Sequence, residues 1–259
     1  WAGLDLGARL KVVRHFRHHL ATLAPPLPFS AGCRDAEVIT SQVIPLADAC
    51  LHLEQNAARI LRTRHVGRRQ RPTWLMGVSS EVWREPWGVI LIIAPGNYPL
   101  FLPAVQTLQA LAAGNAVILK PSPEGAAAAH WLANALIGSG MLPGLVNVLP
   151  PSVEVARAAV AARPDHVLLT ASADTGRAVL AAAASELVPC TLELSGSDAV
   201  VVRSDADIER VAAALRFGLT LNHGATCIAP RRVFVHRAVA ATLESRLADI
   251  LPTVSPIPV

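Results

Sequence analysis

Several short segments of this 259-residue chain put residues of catalytic type at the ends of apolar runs. Cys227 closes Asn222-His223-Gly224-Ala225-Thr226-Cys227, a loop of small residues between a helical and a strand-like stretch. A thiol so placed can act as a nucleophile, although a cysteine without further context is as a rule a small hydrophobe. His223 offers a dyad partner as a minor alternative. Glu193 stands inside Thr191-Leu192-Glu193-Leu194. A carboxylate in an apolar strand is costly unless it is paired or functional, and burial there would suit a general base; a structural ion pair is the competing role. Asn97 sits between two prolines in Pro95-Gly96-Asn97-Tyr98-Pro99. Its amide could donate to an oxyanion or simply form the turn.

Two further segments carry groups suited to an anionic ligand. Lys120, in Leu119-Lys120-Pro121-Ser122, is one of only two lysines against 21 arginines. A compact ammonium at a strand's carboxyl end suits a ribose or phosphate oxygen, while a surface lysine at a loop entrance is the plain alternative. Ser172, in Thr170-Ala171-Ser172-Ala173-Asp174-Thr175-Gly176, is placed to cap a helix whose free N–H groups would face an anion. No Gly-x-Gly-x-x-Gly follows any strand; Gly138-Ser139-Gly140 reads as a helix stop. His15, His18 and His19 share a helix face, which basic surface helices commonly do, and no metal site is expected.

The elements that must hold these residues follow from periodicity. Leu10, Val13, Phe16, Leu20 and Leu23 recur at helical spacing, as do Val43, Leu46, Ala49, Cys50, Leu53, Ala57 and Ile60. Around Trp74–Glu85 a looser alternation predicts a hairpin. From Pro86 the pattern is strand and helix in turn. Strands are expected over 89–94, 116–119, 145–149, 166–170 and 189–194, and helices over about 100–113 and 124–137. Continuous apolar runs mark strands buried on both faces, so the fold class is α/β, a doubly wound parallel sheet. Ligands then bind at the carboxyl ends of the strands. Strands at 200–202 and 232–235, with a helix near 208–219, begin a second α/β part.

Composition excludes other classes. Hydrophobic residues make up 52% and charged residues 16%, which is incompatible with general disorder. Mean hydropathy is +0.41, but the most apolar stretch, 100–119, is broken by Pro103, Gln106, Gln109, Gly114 and Asn115, so no membrane span is expected. No signal peptide is read at the N-terminus. Cysteines at 33, 50, 190 and 227 lack metal or disulfide spacing, and reduced thiols suit a cytoplasmic location. Residues 1–85 carry 12 basic against 7 acidic groups, a net +5, and residues 86–259 carry 11 against 12, a net −1. The basic excess is slight evidence for an acidic partner beside the plain reading of a solvated helix face. A nucleic-acid partner is not expected.

In order and spacing, the set resembles the aldehyde dehydrogenase superfamily over about residues 40–245. The family's Pro-Trp-Asn-aromatic-Pro is similar to 95–99, its Leu-Lys-Pro-Ser to 119–122 and its Phe-Thr-Gly-Ser-x-x-x-Gly to 169–176. Its Leu-Glu-Leu-Gly-Gly is similar to 192–196 and its Asn-x-Gly-Gln-x-Cys to 222–227; Arg84–Val89 resembles its lead-in to the first strand. The resemblance implies a Rossmann-type cofactor domain (86–194) with N-terminal helices (1–73), a hairpin of oligomerisation type (74–85) and the first part of a catalytic domain (195–259). It implies NAD or NADP as cofactor, held at Pro95, Lys120, Ser122, Ala171, Ser172, Gly176 and Leu194. Cys227 would be the nucleophile and Glu193 the base that activates water, with the Asn97 amide and the Cys227 N–H as oxyanion hole. An aldehyde would be oxidised through a thiohemiacetal and a thioester, in a homo-oligomer.

Departures from the pattern carry their own expectations. Gly96 stands for Trp and should widen the site; Ala171 and Ser195 stand for Gly, and Ala225 for Gln. Pro123 occupies the place of a frequent ribose-binding Glu, with Glu124 one residue later, leaving NAD and NADP both open. The family's later Glu-x-Phe-Gly-Pro segment has no counterpart, which leads to the expectation of a truncated N-terminal part. Two alternatives follow: a catalytically incomplete nucleotide-binding fragment, and a CoA-acylating enzyme, against which Glu193 argues.

Overall fold

The structure, a computed structural model, describes residues 1–23, 27, 34–67 and 72–251. It divides into two compact units, Trp1–Glu193 and the chain from Leu194. The first opens with helices α1 (Leu6–Ala21), α2 (Asp35–Val38) and α3 (Ile44–Leu61), a π turn at Ile39–Val43 joining the last two. Asp5 Oδ1 accepts from the Ala8 N–H at 2.9 Å and starts α1. The expected stripes are buried: Val13, Phe16 and Leu20 on α1, and Leu46, Cys50, Leu53 and Ala57 on α3. Pro45 at the start of α3 has no N–H to continue a regular ladder, and the chain before it is wound as the wider π turn. Glu54 ties α3 to α1, accepting from Arg17 at 2.6 Å and from Arg14 at 2.9 Å.

The hairpin lies elsewhere than the alternation predicts. Its strands are β1 (Arg64–His65) and β2 (Glu81–Val82), paired antiparallel, so half of it precedes residue 74. Trp74 belongs instead to a 3₁₀ turn, Thr73–Leu75. The ribbon is exposed along both strands, and Arg64-His65 carries no apolar alternation that could reveal it.

Strand and helix then alternate: β3 (Val89–Ile93), α4 (Phe101–Ala112), β4 (Ala116–Lys120), α5 (Ala126–Gly138), β5 (Val146–Val148), α6 (Val153–Ala161), β6 (His166–Ala171), α7 (Ala173–Ser185) and β7 (Cys190–Leu194). The sheet order is β5-β4-β3-β6-β7. β3 pairs in parallel with β4 and β6, and β4 with β5. Order reverses between β3 and β6, where open α/β sheets take ligands. Polar side chains anchor both sheet ends. At the amino end, Asp165 Oδ2 accepts from the Val89 N–H at 2.7 Å, and Asn115 Oδ1 from the Gly88 N–H at 3.0 Å. Gly88 has φ +125°, and a Cβ there would come within 2.3 Å of Asp165 Oδ2, so only glycine fits. At the carboxyl end, α4 has no side-chain cap of its own. Gln42, buried in the π turn, supplies one: its Oε1 accepts from the Leu100 N–H at 2.8 Å and the Phe101 N–H at 3.3 Å.

The second unit contains β8 (Asp198–Val202), α8 (Ile208–Thr220), β9 (Pro230–Val235) and α9 (Arg237–Ile250). β8 and β9 pair in parallel, and Val202, Ala212, Leu215 and Leu243 form the buried centre. Among the described residues, no helix is long and apolar enough to cross a membrane.

Glu54 makes a testable contribution. Burial pushes its carboxyl up, but the hydrogen bonds and charges of Arg17 and Arg14 outweigh that and hold it below its usual range. A depressed carboxyl stabilises the fold above the unfolded pKa, near about 4.3, and stops doing so as pH falls through the lower folded value. Glu54→Gln should cost about 2 kcal/mol at neutral pH. The deficit should shrink as pH is lowered from about 5 toward about 2. Urea titrations across that range measure it; a deficit independent of pH would assign the loss to packing rather than charge.

Candidate active site

Register brings three strand ends level. Ile93 lies opposite Lys120 on one side and Leu169 on the other, and the Ala94 N–H donates to the Lys120 carbonyl at 2.9 Å. Pro95, Lys120 and the 170–172 turn therefore share the carboxyl edge of the sheet at the point where its order reverses.

Lys120 is buried, with 7% of its surface accessible, and its ammonium has no hydrogen bond or ion pair among the described residues. Burial lowers its pKa. A largely buried cation without a partner is costly. Ser122 and Glu124 flank it. A Cβ at Gly96 would lie 3.0 Å from Glu124 Oε2 and 3.3 Å from Ser122 Oγ, so glycine lets a carboxylate and a hydroxyl approach this turn closely. Ser122 Oγ accepts from the Gly125 N–H at 3.1 Å and shapes the turn into α5. Asn97 is half-buried, with Oδ1 turned back to accept from the Tyr98 N–H at 3.0 Å.

On the other side of β3, Ser172 caps α7, accepting from the Thr175 N–H at 3.3 Å. Gly176 is buried, its N–H donating to the Ser172 carbonyl at 2.9 Å. Ala171 ends β6 half-buried. Thr170 Oγ1 accepts from Gln106 Nε2 at 2.8 Å, which ties α4 to β6 across the reversal point. Gln106, Gln42 and the placement of Glu124 escape sequence reasoning. The sole sequence signal for Glu124 is its offset by one from the family's ribose-binding position.

Glu193 and Leu194 end β7, an edge strand, and both are exposed. The expectation of a buried carboxylate is therefore corrected: an apolar run marks burial on both faces only for an inner strand, and β7 has a neighbour on one side alone.

The cysteine loop belongs to the second unit. Asn222 and His223 both have left-handed backbone, φ 50° and 55°, and Gly224 follows at φ 79°. Two consecutive non-glycine residues in that region store strain of about 1–3 kcal/mol each. Asn222 Nδ2 donates to the Ala225 carbonyl at 3.2 Å and braces the loop. Gly196 packs on the backbone of Cys227; a Cβ there would be 2.8 Å from the Cys227 carbonyl oxygen. Cys227 itself is exposed. Cys50 is buried and pushed up to about 12, chiefly by burial, and Cys190 is raised by burial as well. Cys33 lies outside the described residues. Among the described cysteines, Cys227 alone is open to a substrate.

Comparison with known proteins identifies the family. The family model described as "Aldehyde dehydrogenase family" matches residues 8–255. A 4,4'-diapolycopene aldehyde oxidase from Methylomonas is 32% identical over 251 residues, covering 95% of this chain and 47% of the relative. A 4,4'-diaponeurosporen-aldehyde dehydrogenase from Staphylococcus aureus is 34% identical over 180 residues, covering 70% of this chain and 39% of the relative. The chain thus spans less than half the length of these relatives. The NAD+ complex of an aldehyde dehydrogenase from Bacillus cereus shares the fold with TM-score 0.87 at 23% identity, covering 98% of this chain and 52% of that one. On this match and on the α/β sheet that carries it, the chain belongs to the aldehyde dehydrogenase family.

Proposed function

We propose that this chain binds NAD at the carboxyl edge of its sheet and carries the nucleophile of an aldehyde-oxidising enzyme. The observation that carries the reading is the buried, unpartnered Lys120 at the end of β4, beside the central strand β3. Its ammonium suits ribose hydroxyls, and the capped N-terminus of α7 at Ser172 suits a pyrophosphate. Glu124 beside Gly96 favours NAD over NADP, since a carboxylate accepts ribose hydroxyl protons and repels a 2'-phosphate. When bound, the dinucleotide supplies a hydride acceptor.

The remaining chemistry belongs to this chain's own residues. The Cys227 thiolate adds to the aldehyde carbon, and the Asn97 amide together with the Cys227 N–H steadies the resulting oxyanion. Glu193, exposed and acceptor-only when ionised, takes a proton from the water that hydrolyses the thioester. For the substrate we propose a long apolar aldehyde. Two relatives are named for such candidates, a 4,4'-diapolycopene aldehyde oxidase and a 4,4'-diaponeurosporen-aldehyde dehydrogenase. We propose homo-oligomerisation through the ribbon segment, where Trp74 and Trp83 are 80% and 67% exposed.

Four outcomes test the reading. Lys120→Met should weaken NAD at least about tenfold in calorimetry; an unchanged isotherm would remove the basis of the cofactor site. Glu124→Gln should narrow the preference for NAD over NADP by about tenfold, read as the ratio of the two dissociation constants, and an unchanged ratio would show that Glu124 does not face the ribose. Limiting iodoacetamide with peptide mapping should label Cys227 well ahead of Cys50 and Cys190. With aldehyde and NAD, Glu193→Gln should accumulate an acyl adduct on Cys227 by intact-protein mass spectrometry. Full turnover by that variant would exclude Glu193 as the base.

A further inference from the structure

The basic excess of the first 85 residues has a focus at the opposite end of the sheet. A cavity of about 370 Å³ opens where α1, the end of α3, the Arg84–Pro86 lead-in and the end of α4 meet. Three guanidiniums line it, those of Arg9, Arg62 and Arg84, against a single carboxylate, Glu85. Arg84 Nε donates to the Ile60 carbonyl at 2.6 Å and so caps α3. Arg9 is different. Its Nε is fully buried and has no hydrogen-bond partner, and its Nη1 lies so close to Gly114 that a Cβ there would be 2.2 Å away. Arg14 and Arg17, one and two turns on along α1, both reach Glu54. Neither Arg9 nor Arg62 forms an ion pair among the described residues, although Glu85 lines the same cavity.

The cavity carries two positive charges in excess of its carboxylate, and guanidinium forks match the paired oxygens of a phosphoryl group. We infer that this cavity is a binding site for a phosphate-type dianion, either inorganic phosphate or the phosphoryl group of a small metabolite. Arg9 and Arg62 hold the oxygens, and Glu85 limits the affinity. The site lies at the amino end of the sheet and does not depend on the aldehyde reading.

Calorimetry on the full chain tests it, with inorganic phosphate, glycerol 3-phosphate and acetate as probes. Phosphate should bind saturably at one site and acetate at least about tenfold more weakly. Tighter binding of glycerol 3-phosphate than of phosphate would assign the site to a metabolite, and the reverse to the free ion. Arg9→Gln should weaken phosphate about tenfold or more, Arg62→Gln severalfold, and Glu85→Gln should strengthen it. Arg157→Gln, on exposed α6, and Lys120→Met should leave it unchanged. Absence of saturation by about 10 mM phosphate overturns the proposal. So does loss of binding in Lys120→Met, which would put the ion at the strand ends instead. If Arg9→Gln does not fold, opposite shifts in Arg62→Gln and Glu85→Gln support the site, and no shift in either rejects it.

Discussion

The hydrogen-bond ladders on both sides of β3 are the constraint on which the rest of the first unit depends. Because β3 pairs in parallel with β4 and with β6, the strands end level and their following turns must part to opposite faces. That parting separates the Pro95–Pro99 turn and Lys120 from the Ser172 cap. Gln42 keeps the first of these turns in place. By accepting from the Leu100 and Phe101 N–H groups, it satisfies a helix start that has no local cap and couples the N-terminal helices to the Asn97 turn. Gln106 does likewise between α4 and β6 through Thr170. Both bonds run between elements distant in sequence, so the geometry of the strand ends is a property of the whole unit.

Two basic side chains differ from these paired groups. Lys120 is buried at the carboxyl edge, and at the amino edge the Nε of the half-buried Arg9 is enclosed; neither side chain has a hydrogen bond or ion pair among the described residues. Partial removal of water from a cation without an acceptor in return is a cost that core packing elsewhere must cover. Glu54 shows what the fold does when a charge serves stability alone: the carboxylate is buried, but two arginines answer it. The contrast separates a charge that is answered within the fold from two that are not.

How much of this was legible in the sequence differs from element to element. Val89–Ile93 was readable because a central parallel strand is apolar on both faces, and Gly114 marked the end of α4 because that position needs φ +98°. Lys120 at the end of β4 was readable from its rarity and its place after an apolar run. The ribbon was displaced because its two strands are short and exposed, so neither face leaves an apolar trace. The exposure of Glu193 was misjudged because Thr191–Leu194 is apolar enough for an inner strand, while its place at the sheet edge is set by topology. Gln42 was invisible for a different reason: a glutamine in a helical segment gives no sign that it will cap another helix 58 residues away.

The cysteine loop shows what an exposed thiol costs in stability. A buried thiol such as Cys50 is inert, since burial pushes it up to about 12 and denies access to a substrate. Bringing Cys227 to the surface instead requires a sharp reversal after α8, and the chain achieves it with left-handed backbone at Asn222, His223 and Gly224. Only the last of these is glycine. Asparagine tolerates the conformation because its side chain can bond locally, and here it does so to the Ala225 carbonyl; histidine has a weaker claim. Strain retained at such a loop persists only when its surroundings over-determine it. Gly196, which has no Cβ to hold the Cys227 backbone away, provides part of that enclosure. The two motifs that flank the second unit's first strand and close its helix are thus coupled by contact. The exposed thiol is thus held on a braced, strained turn rather than packed in a core.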